Sequence, residues 1–535
     1  MATIIGMPSI TVDGKKIEAK DRQMILQACK DNGIEIPHYC YHPGLSIVAS
    51  CRICLVEVEG IPKLVPGCQT PIRDGMVVST QSTKAVANQK QVMEFLLINH
   101  PLDCPVCDKA GECSLQDYSY SFGRSQSRFE EDKSKNPKKD VGEHVLLYTD
   151  RCIMCTRCVR FTREIAGTSE LFVDGRGHKE EIEIFPGKPL NNKISLNVVD
   201  LCPVGALLDK SFLFAQRVWM LKRTPSISPV DAGGENIWID QNENAIYRIK
   251  PRINDKVNGY WISNDSRHAY KAVVREDRLV RARTKSFGAQ GEIRFADALK
   301  VADDGLKSAA KTGALFAVIS PMLPIEEAYL LGLYIRSLDA NATLVMGPVP
   351  TSTDEAFKSS VSGKETFRIQ GEKVPNRRGI ERVFDKLGGA RTTWTEFVQH
   401  TDAGYAGGVI TGGYLSNWVS EVPAVLKNKF VVVQDALPGP IADAADVLLP
   451  GAMWCEKDGT FENHQNTLQA FVAAITPPGS AQVEGKVYHK LLGRPGDYSA
   501  QAVRDEIGEA LADVVVPPSE EAEGAESPAM EFAEL

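Results

Sequence analysis

Twelve of the thirteen cysteines in this 535-residue chain fall before residue 203, and the thirteenth, Cys455, stands alone. That placement constrains the first part of the fold more than any hydrophobic pattern does. A disulfide framework is not expected. The count is odd, the chain is long, and the start MATIIGMPSITVDGKK has neither the basic region nor the apolar core of a secretion signal. Grouped thiols in a reducing compartment point to metal instead. Cys29 lies inside a helical pattern among apolar neighbours and reads as a buried structural thiol.

The remaining thiols sort into three sets. Cys40, Cys51, Cys54 and Cys68 are spaced C-x10-C-x2-C-x13-C. Four thiolates with one C-x2-C in a loop of a β-rich segment suit a [2Fe–2S] cluster. A zinc ribbon would ordinarily supply two facing C-x2-4-C pairs, and this segment has one. His100, Cys104, Cys107 and Cys113 form the second set, H-x3-C-x2-C-x5-C. It suits a [4Fe–4S] cluster with one imidazole ligand, whose neutrality would raise the cluster potential. Zinc held by three cysteines and a histidine, or a histidine that only caps a helix, is the other reading of that spacing. The third set is Cys152, Cys155 and Cys158 in RCIMCTRCVR, with Cys202 in VDLCPVGAL. The tight C-x2-C-x2-C triplet and distant Cys-Pro follow the bacterial ferredoxin pattern for a [4Fe–4S] cluster, and they occur once, so one cluster is expected there. Arg151, Arg157, Arg160 and Arg163 crowd the triplet and could offset cluster charge. A basic surface patch would look the same.

The rest of the chain reads as several domains, three or four at ~150 residues each. Residues 1–80 are expected to be a ferredoxin-type domain. It would have a hairpin at Asp13-Gly14 and a helix over DRQMILQACKDNG, capped by Asp21 and ended by Gly33. Residues 81–120 would carry the second set, one histidine and three cysteines. A helix over 84–99 there, with a stripe through Val86, Val92, Phe95 and Leu96, would end before His100-Pro101. Residues 121–215 would carry the third set, with a solvated charged loop at 130–140. A β-rich region follows over 216–275. Strands and helices alternate over 276–515, including a helix over SNWVSEVPAVLK, which predicts parallel α/β layers. An acidic, disordered tail is expected over 516–535. The predicted class is therefore α+β and α/β multidomain. A net charge of -8 argues against a nucleic-acid partner, and no apolar run is long enough to span a membrane.

Three segments together, YCYHPGLSIVASCRICLVEV, INHPLDCPVCDKAGECSLQD and YTDRCIMCTRCVRFTREIAG with DLCPVGAL, resemble the large iron–sulfur (75-kDa, or G) subunit of respiratory NADH:quinone oxidoreductase, complex I. The resemblance covers residues 3–270 and continues more weakly to 475. A second segment, ADVLLPGAMWCEKDGTFENHQNTLQ at 445–469, resembles a motif of the molybdopterin oxidoreductase fold. Cys455 within it reads as a structural thiol.

The resemblance implies a relay subunit with no catalytic acid, base or nucleophile of its own. It implies a β-grasp [2Fe–2S] domain, a cluster-binding helix-and-loop domain and a degenerate molybdopterin-type α/β domain without molybdopterin. Electrons from a flavin- and NADH-binding subunit would enter at Cys40–Cys68. They would pass by Cys152–Cys202 and His100–Cys113 to downstream iron–sulfur and quinone-site subunits of the proton-pumping complex. The implied location is peripheral, on the cytoplasmic side of the bacterial inner membrane. Some family members bind a further [4Fe–4S] cluster. The matching positions here are Ser228, Asp231, Glu235 and Ser263, none a cysteine, and that cluster is expected to be absent. No G-x-G-x-x-G follows a strand and opens a helix, so NADH is not expected on this chain. An iron–sulfur diaphorase subunit of a NAD-linked hydrogenase or formate dehydrogenase is the alternative function, and a zinc scaffold the alternative from another class.

Overall fold

The computed structural model describes residues 8–286, 289–400 and 404–517. The acidic tail expected from 516 lies, beyond Pro517, outside the described residues. The chain divides into two compact units, Met1–Leu221 with Phe357–Phe367, and Lys222–Ala356 with Arg368–Leu535.

The first unit opens with β1 (Ser9–Val12) and β2 (Lys15–Glu18), an antiparallel hairpin. Asp13 and Gly14 at its turn have φ of 46° and 84°, the left-handed pair that a tight hairpin of this hand needs. The helix that follows, α1 (Ile25–Asp31), is capped by Met24 and not by Asp21. Met24 bridges to Pro71, and the Gln23 carbonyl accepts from the Ile72 N–H, so strand-like pairing takes residues that local capping would have used. Gly33, at φ 70°, ends the helix as its position implied. β3 (Leu55–Val58), β4 (Val65–Pro66) and β5 (Val77–Ser79) complete a five-stranded sheet in the order β2-β1-β5-β3-β4. Ile10, Val12, Val56 and Val78 pack with Ile25, Leu26 and the fully buried Cys29 beneath it.

α2 (Thr83–Leu97) starts at Ser82, whose hydroxyl accepts from the Ala85 N–H. Its buried row is Ala85, Gln89 and Met93, at helical i, i+4 spacing. Of the expected stripe, Val86, Val92 and Leu96 are half-buried and Phe95 is 62% exposed. The helix packs on β3 and on α3 (Ser114–Phe122), where Met93 offers its sulfur to the Tyr39 hydroxyl. The charged stretch 130–140 is not merely a solvated loop. Lys133 donates to the Leu97 and Ile98 carbonyls that end α2, and the stretch closes in β6 (Lys138–Asp140). Lys139 pairs with Glu181 and Glu183. β7 (Val145–Tyr148), α4 (Arg157–Glu164), the hairpin β8 (Leu171–Asp174) and β9 (Glu181–Ile184), α5 (Asn197–Leu201) and β10 (Leu207–Asp209) follow. β10, β7 and β6 form one small antiparallel sheet.

The second unit begins with an antiparallel sheet of β11 (Lys222–Ile227), β12 (Asn236–Asn242) and β13 (Ala245–Pro251), then α6 (Asn264–His268) and α7 (Tyr270–Val273). Its α/β part runs through β14 (Arg283–Ser286), β15 (Ala289–Glu292), α8 (Phe295–Ala309), β16 (Ala314–Ile319), α9 (Ile325–Leu338) and β17 (Thr343–Met346). A hairpin, β18 (Glu355–Lys358) and β19 (Glu365–Ile369), is inserted next, and its tip belongs to the first unit. Then come α10 (Arg377–Leu387), β20 (Arg391–Thr393), α11 (Trp394–Gln399), β21 (Tyr405–Thr411), β22 (Phe430–Asp435), α12 (Pro440–Ala444) and β23 (Val447–Pro450). β24 (Gly459–Glu462) pairs β25 (Leu468–Phe471), and α13 (Glu484–Leu491) and α14 (Ala500–Ile507) close the unit.

The central sheet has eight strands in the order β15-β14-β23-β22-β21-β16-β17-β20, with β23 through β20 parallel. The alternation legible in the sequence therefore builds the expected parallel layers. Residues 416–427 do not form the expected helix. Only Ala424–Leu426 winds, as one 3-10 turn, since Pro423 cannot donate to an earlier carbonyl and restricts the residue before it. The core holds a buried ionic knot. Lys457, 3% exposed, pairs with Glu327 and Glu484, and Arg504 pairs with Glu326, which also accepts from the Thr460 N–H and hydroxyl.

Candidate metal centres

The first set lies in the β-grasp fold. Ala49 and Arg52 adopt φ of 51° and 59°, curling the loop that carries Cys51 and Cys54 back toward Cys40. Gly67 donates to the Cys54 carbonyl and accepts from the Leu26 N–H, and a Cβ there would crowd that carbonyl at 3.2 Å. The four thiols come together as two pairs. The Cys51 thiol donates to Cys40, which holds the Cys40 thiol down at about 5, and Cys54 bears the same relation to Cys68. The donors Cys51 and Cys54 are pushed up by those bonds and by burial. Two sulfurs and two sulfurs is the ligand division of a [2Fe–2S] core.

In the second set, Cys107 and Cys113 are buried and Cys104 is exposed. Each buried thiol feels the next, Cys113 through Cys107 and Cys107 through Cys104. Gly205 abuts the Cys107 sulfur so closely that no side chain fits there. His100 sits beside Arg151, which also faces Cys107 and is held by Asp103. Burial first, then Arg151 and Lys133, lower the His100 pKa to about 4. The imidazole is therefore neutral, with its lone pair free for a metal, and its buried Nδ1 has no hydrogen-bond partner. His100 and Cys107 both feel the charge of Arg151.

The third set wraps the start of α4. Met154 and Thr156 at φ of 51° and 58° wind the triplet so that Cys152, Cys155 and Cys158 face one another and Cys202, which follows α5. Burial raises all three triplet thiols. Buried thiols in fours are unfavourable as thiolates unless a cationic core neutralises them, so the donor chemistry fits a cluster. Among the described residues, no three His, Cys, Asp or Glu side chains converge as ligands of a single metal ion. A cluster asks for something else, sulfurs around a volume the size of its inorganic core.

Sequence reasoning missed the connections between the sets. Arg160 on α4 donates to the main-chain oxygens of Cys40 and Cys155. Tyr39, fully buried, neighbours Cys51 of the first set and Cys113 of the second. Only the arginine-rich character of RCIMCTRCVR hinted at such a role.

In the second unit, Ser228, Asp231, Glu235 and Ser263 are all buried and form an oxygen-lined nest. Ser263 donates to Glu235 from its N–H and hydroxyl, and the Ser228 and Ser263 hydroxyls both meet that of Ser266. Lys373 lies 3.9 Å from Asp231. Burial first, then Asp231, push Glu235 up to about 8, and burial pushes Asp231 up to about 6. Both groups hold protons more tightly folded than unfolded. The stability they contribute is whole below the ordinary carboxylate range and is lost as pH rises toward about 8. The slope is at most ~1.4 kcal/mol per pH unit for each proton. Glu235→Gln is expected to flatten that slope in urea denaturation across the window, whereas an unchanged slope would place the titration elsewhere.

Family models match along the chain. They are a 2Fe-2S iron-sulfur cluster binding domain at residues 7–83 and the NADH-ubiquinone oxidoreductase-G iron-sulfur binding region at 89–128. A ferredoxin-like domain of NADH-quinone oxidoreductase subunit 3 matches 142–208, and an NDSU1/NuoG-like 4Fe-4S domain matches 221–271. A molybdopterin oxidoreductase model matches 415–494. Ferredoxin-like and molybdopterin-oxidoreductase-like domains thus make up this mixed α/β chain. A solved NAD+-reducing [NiFe]-hydrogenase is 28% identical over 39% of this chain and 91% of that one, at a TM-score of 0.35, too slight to carry an argument. The G subunit of NADH-quinone oxidoreductase from Rickettsia conorii is 40% identical over 91% of this chain and 87% of its own length. The NADH-ubiquinone oxidoreductase 78 kDa subunit of Neurospora crassa is 31% identical over 95% and 85%. On that extent of identity, the chain belongs to the family of the NADH-quinone oxidoreductase G, or 75 kDa, subunit.

Proposed function

We propose that this chain is an electron-relay subunit of complex I, holding one [2Fe–2S] cluster at Cys40, Cys51, Cys54 and Cys68. Two [4Fe–4S] clusters would lie at His100, Cys104, Cys107 and Cys113, and at Cys152, Cys155, Cys158 and Cys202. The observation that carries this reading is the gathering of all three donor sets within one compact unit. When bound, the clusters accept and release single electrons. The chain's own residues do the rest. Burial keeps water from most of the thiols, Cys104 being exposed, Arg151 and Arg160 stand between neighbouring sets, and main-chain carbonyls help fix those arginines in place. No proton transfer or nucleophile is required.

The nest of Ser228, Asp231, Glu235 and Ser263 offers no thiolate, and we assign no cluster to it. Nor do the residues present fit a molybdopterin. Read outward from β16, the parallel strands follow the doubly wound order, whose ligand crevice lies at the carboxyl ends of β16 and β21. Met322, Val374 and Tyr414 pack together there as a buried apolar cluster. The first turn of α9, where a pyrophosphate would sit, carries Glu326 and Glu327, already paired with Arg504 and Lys457. This unit then serves to grip neighbouring peripheral-arm subunits, the flavin subunit and those nearer the quinone. Among the described residues no helix is long and apolar enough to cross a membrane; the place proposed for the chain is peripheral, on the cytoplasmic face, as the relay role in complex I implies.

Anaerobic purification with metal analysis and EPR after stepwise reduction tests the reading. About ten irons per chain are expected, and His100→Ala should alter or abolish one cubane signal alone. About fourteen irons would require a further cluster, and zinc with little iron would sink the relay.

A further inference from the structure

α4 carries two guanidinium groups into the space between the first and third thiol sets. Arg160 is 3% exposed. Its Nη2 donates to the carbonyls of Cys40 and Cys155, one from each set, and its Nη1 to that of Ser46. Arg157 donates to the carbonyls of Tyr41 and Leu201, the neighbours of Cys40 and Cys202. Every one of these acceptors is neutral. The other arginines of the motif differ, because Arg151 pairs with Asp103 and Arg163 with Glu164. Among the described residues no carboxylate pairs with Arg157 or Arg160, and the Nε of each is buried without an acceptor. The charges around Arg157 are thiols, Cys155, Cys202 and Cys40, with Arg160 alongside.

A buried cation without a counter-charge is strongly unfavourable, and two side by side are worse. Something anionic must balance them. The groups in reach are the thiolates of two sets, each net negative once it holds its iron–sulfur core. We propose that Arg160, with Arg157 beside it, is a positioning residue shared by the first and third sites, its counter-charge being the two bound clusters. The inference rests on the proposed cluster assignment. Its planar fork spans a carbonyl of each ligand loop, so it sets the spacing of the two sites as well as their field. Reduction adds negative charge beside this cation, so the cation holds both potentials up.

The test is an EPR-monitored redox titration of the whole complex carrying Arg160→Gln or Arg160→Lys. In Arg160→Gln the reduction equilibria of the [2Fe–2S] site and of the Cys152–Cys202 site should both fall about tenfold, ~59 mV for a one-electron couple. The His100 site should not move. Arg160→Lys, which keeps the charge and loses the fork, should retain most of both potentials. If Arg160→Gln fails to take up these two clusters while Arg160→Lys takes them up, the charge requirement stands. Unmoved potentials at either site in Arg160→Gln, or a lysine variant as damaged as the glutamine one, would overturn the proposal. Absence of clusters from the unsubstituted protein would instead remove the assignment beneath it.

Discussion

Cys158→Ala is expected to cost the chain about four of the roughly ten irons of the proposed assignment and to stop electron transfer through the complex. Cys158 sits in the first turn of α4, 7% exposed, facing Cys152, Cys155 and Cys202. With it gone, three buried thiols remain and one corner of the core has no ligand. Iron analysis should read about six per chain, with the [2Fe–2S] and His100-site EPR signals retained. NADH:quinone turnover of the assembled complex should fall to background. Cys29→Ala is the control. That thiol packs among Ile25 and Leu26 in the sheet core, and its removal should leave all the iron in place. Full iron content in Cys158→Ala would remove the third site from the assignment.

Lys457→Met is expected to destabilise the second unit by roughly 3–5 kcal/mol. The ammonium lies between Glu327 and Glu484, and all three side chains are almost wholly buried. Methionine fills similar space but leaves two carboxylates facing each other without a cation. Protonation would have to supply what the lysine supplied, and Glu484 is already pushed up to about 8 by burial. Denaturant unfolding followed by tryptophan fluorescence measures the effect. Adding Glu327→Gln and Glu484→Gln to Lys457→Met should recover most of the loss, because the penalty comes from unpaired charge and not from volume. A loss under ~1 kcal/mol in the single variant would mean that water or a second cation reaches the knot.

The separation between groups along the chain decides which parts of this protein can be read without its structure. Within each set the ligands lie mostly a few residues apart, so loop geometry alone constrains them, and C-x2-C-x2-C has little else it can do. Asp13-Gly14 dictated its own hairpin for the same reason, and β-branched runs such as FVVVQD could only be strands. Local signals failed where packing competed with them. Asp21 lost the cap of α1 to the pairing of Met24 with Pro71. α2 buries Ala85, Gln89 and Met93 because its neighbours β3 and α3 leave room for that row and not for Phe95. The charges were least legible of all. Lys457 meets Glu327 across 130 residues, and Arg160 meets Cys40 across 120. The sequence by itself determined which thiols and which histidine are grouped as the proposed iron ligands, because that chemistry depends on side-chain type and short spacing. Only the tertiary structure decided which buried charge faces which, because desolvation and Coulomb energies depend on distance in space, which the order of residues does not record.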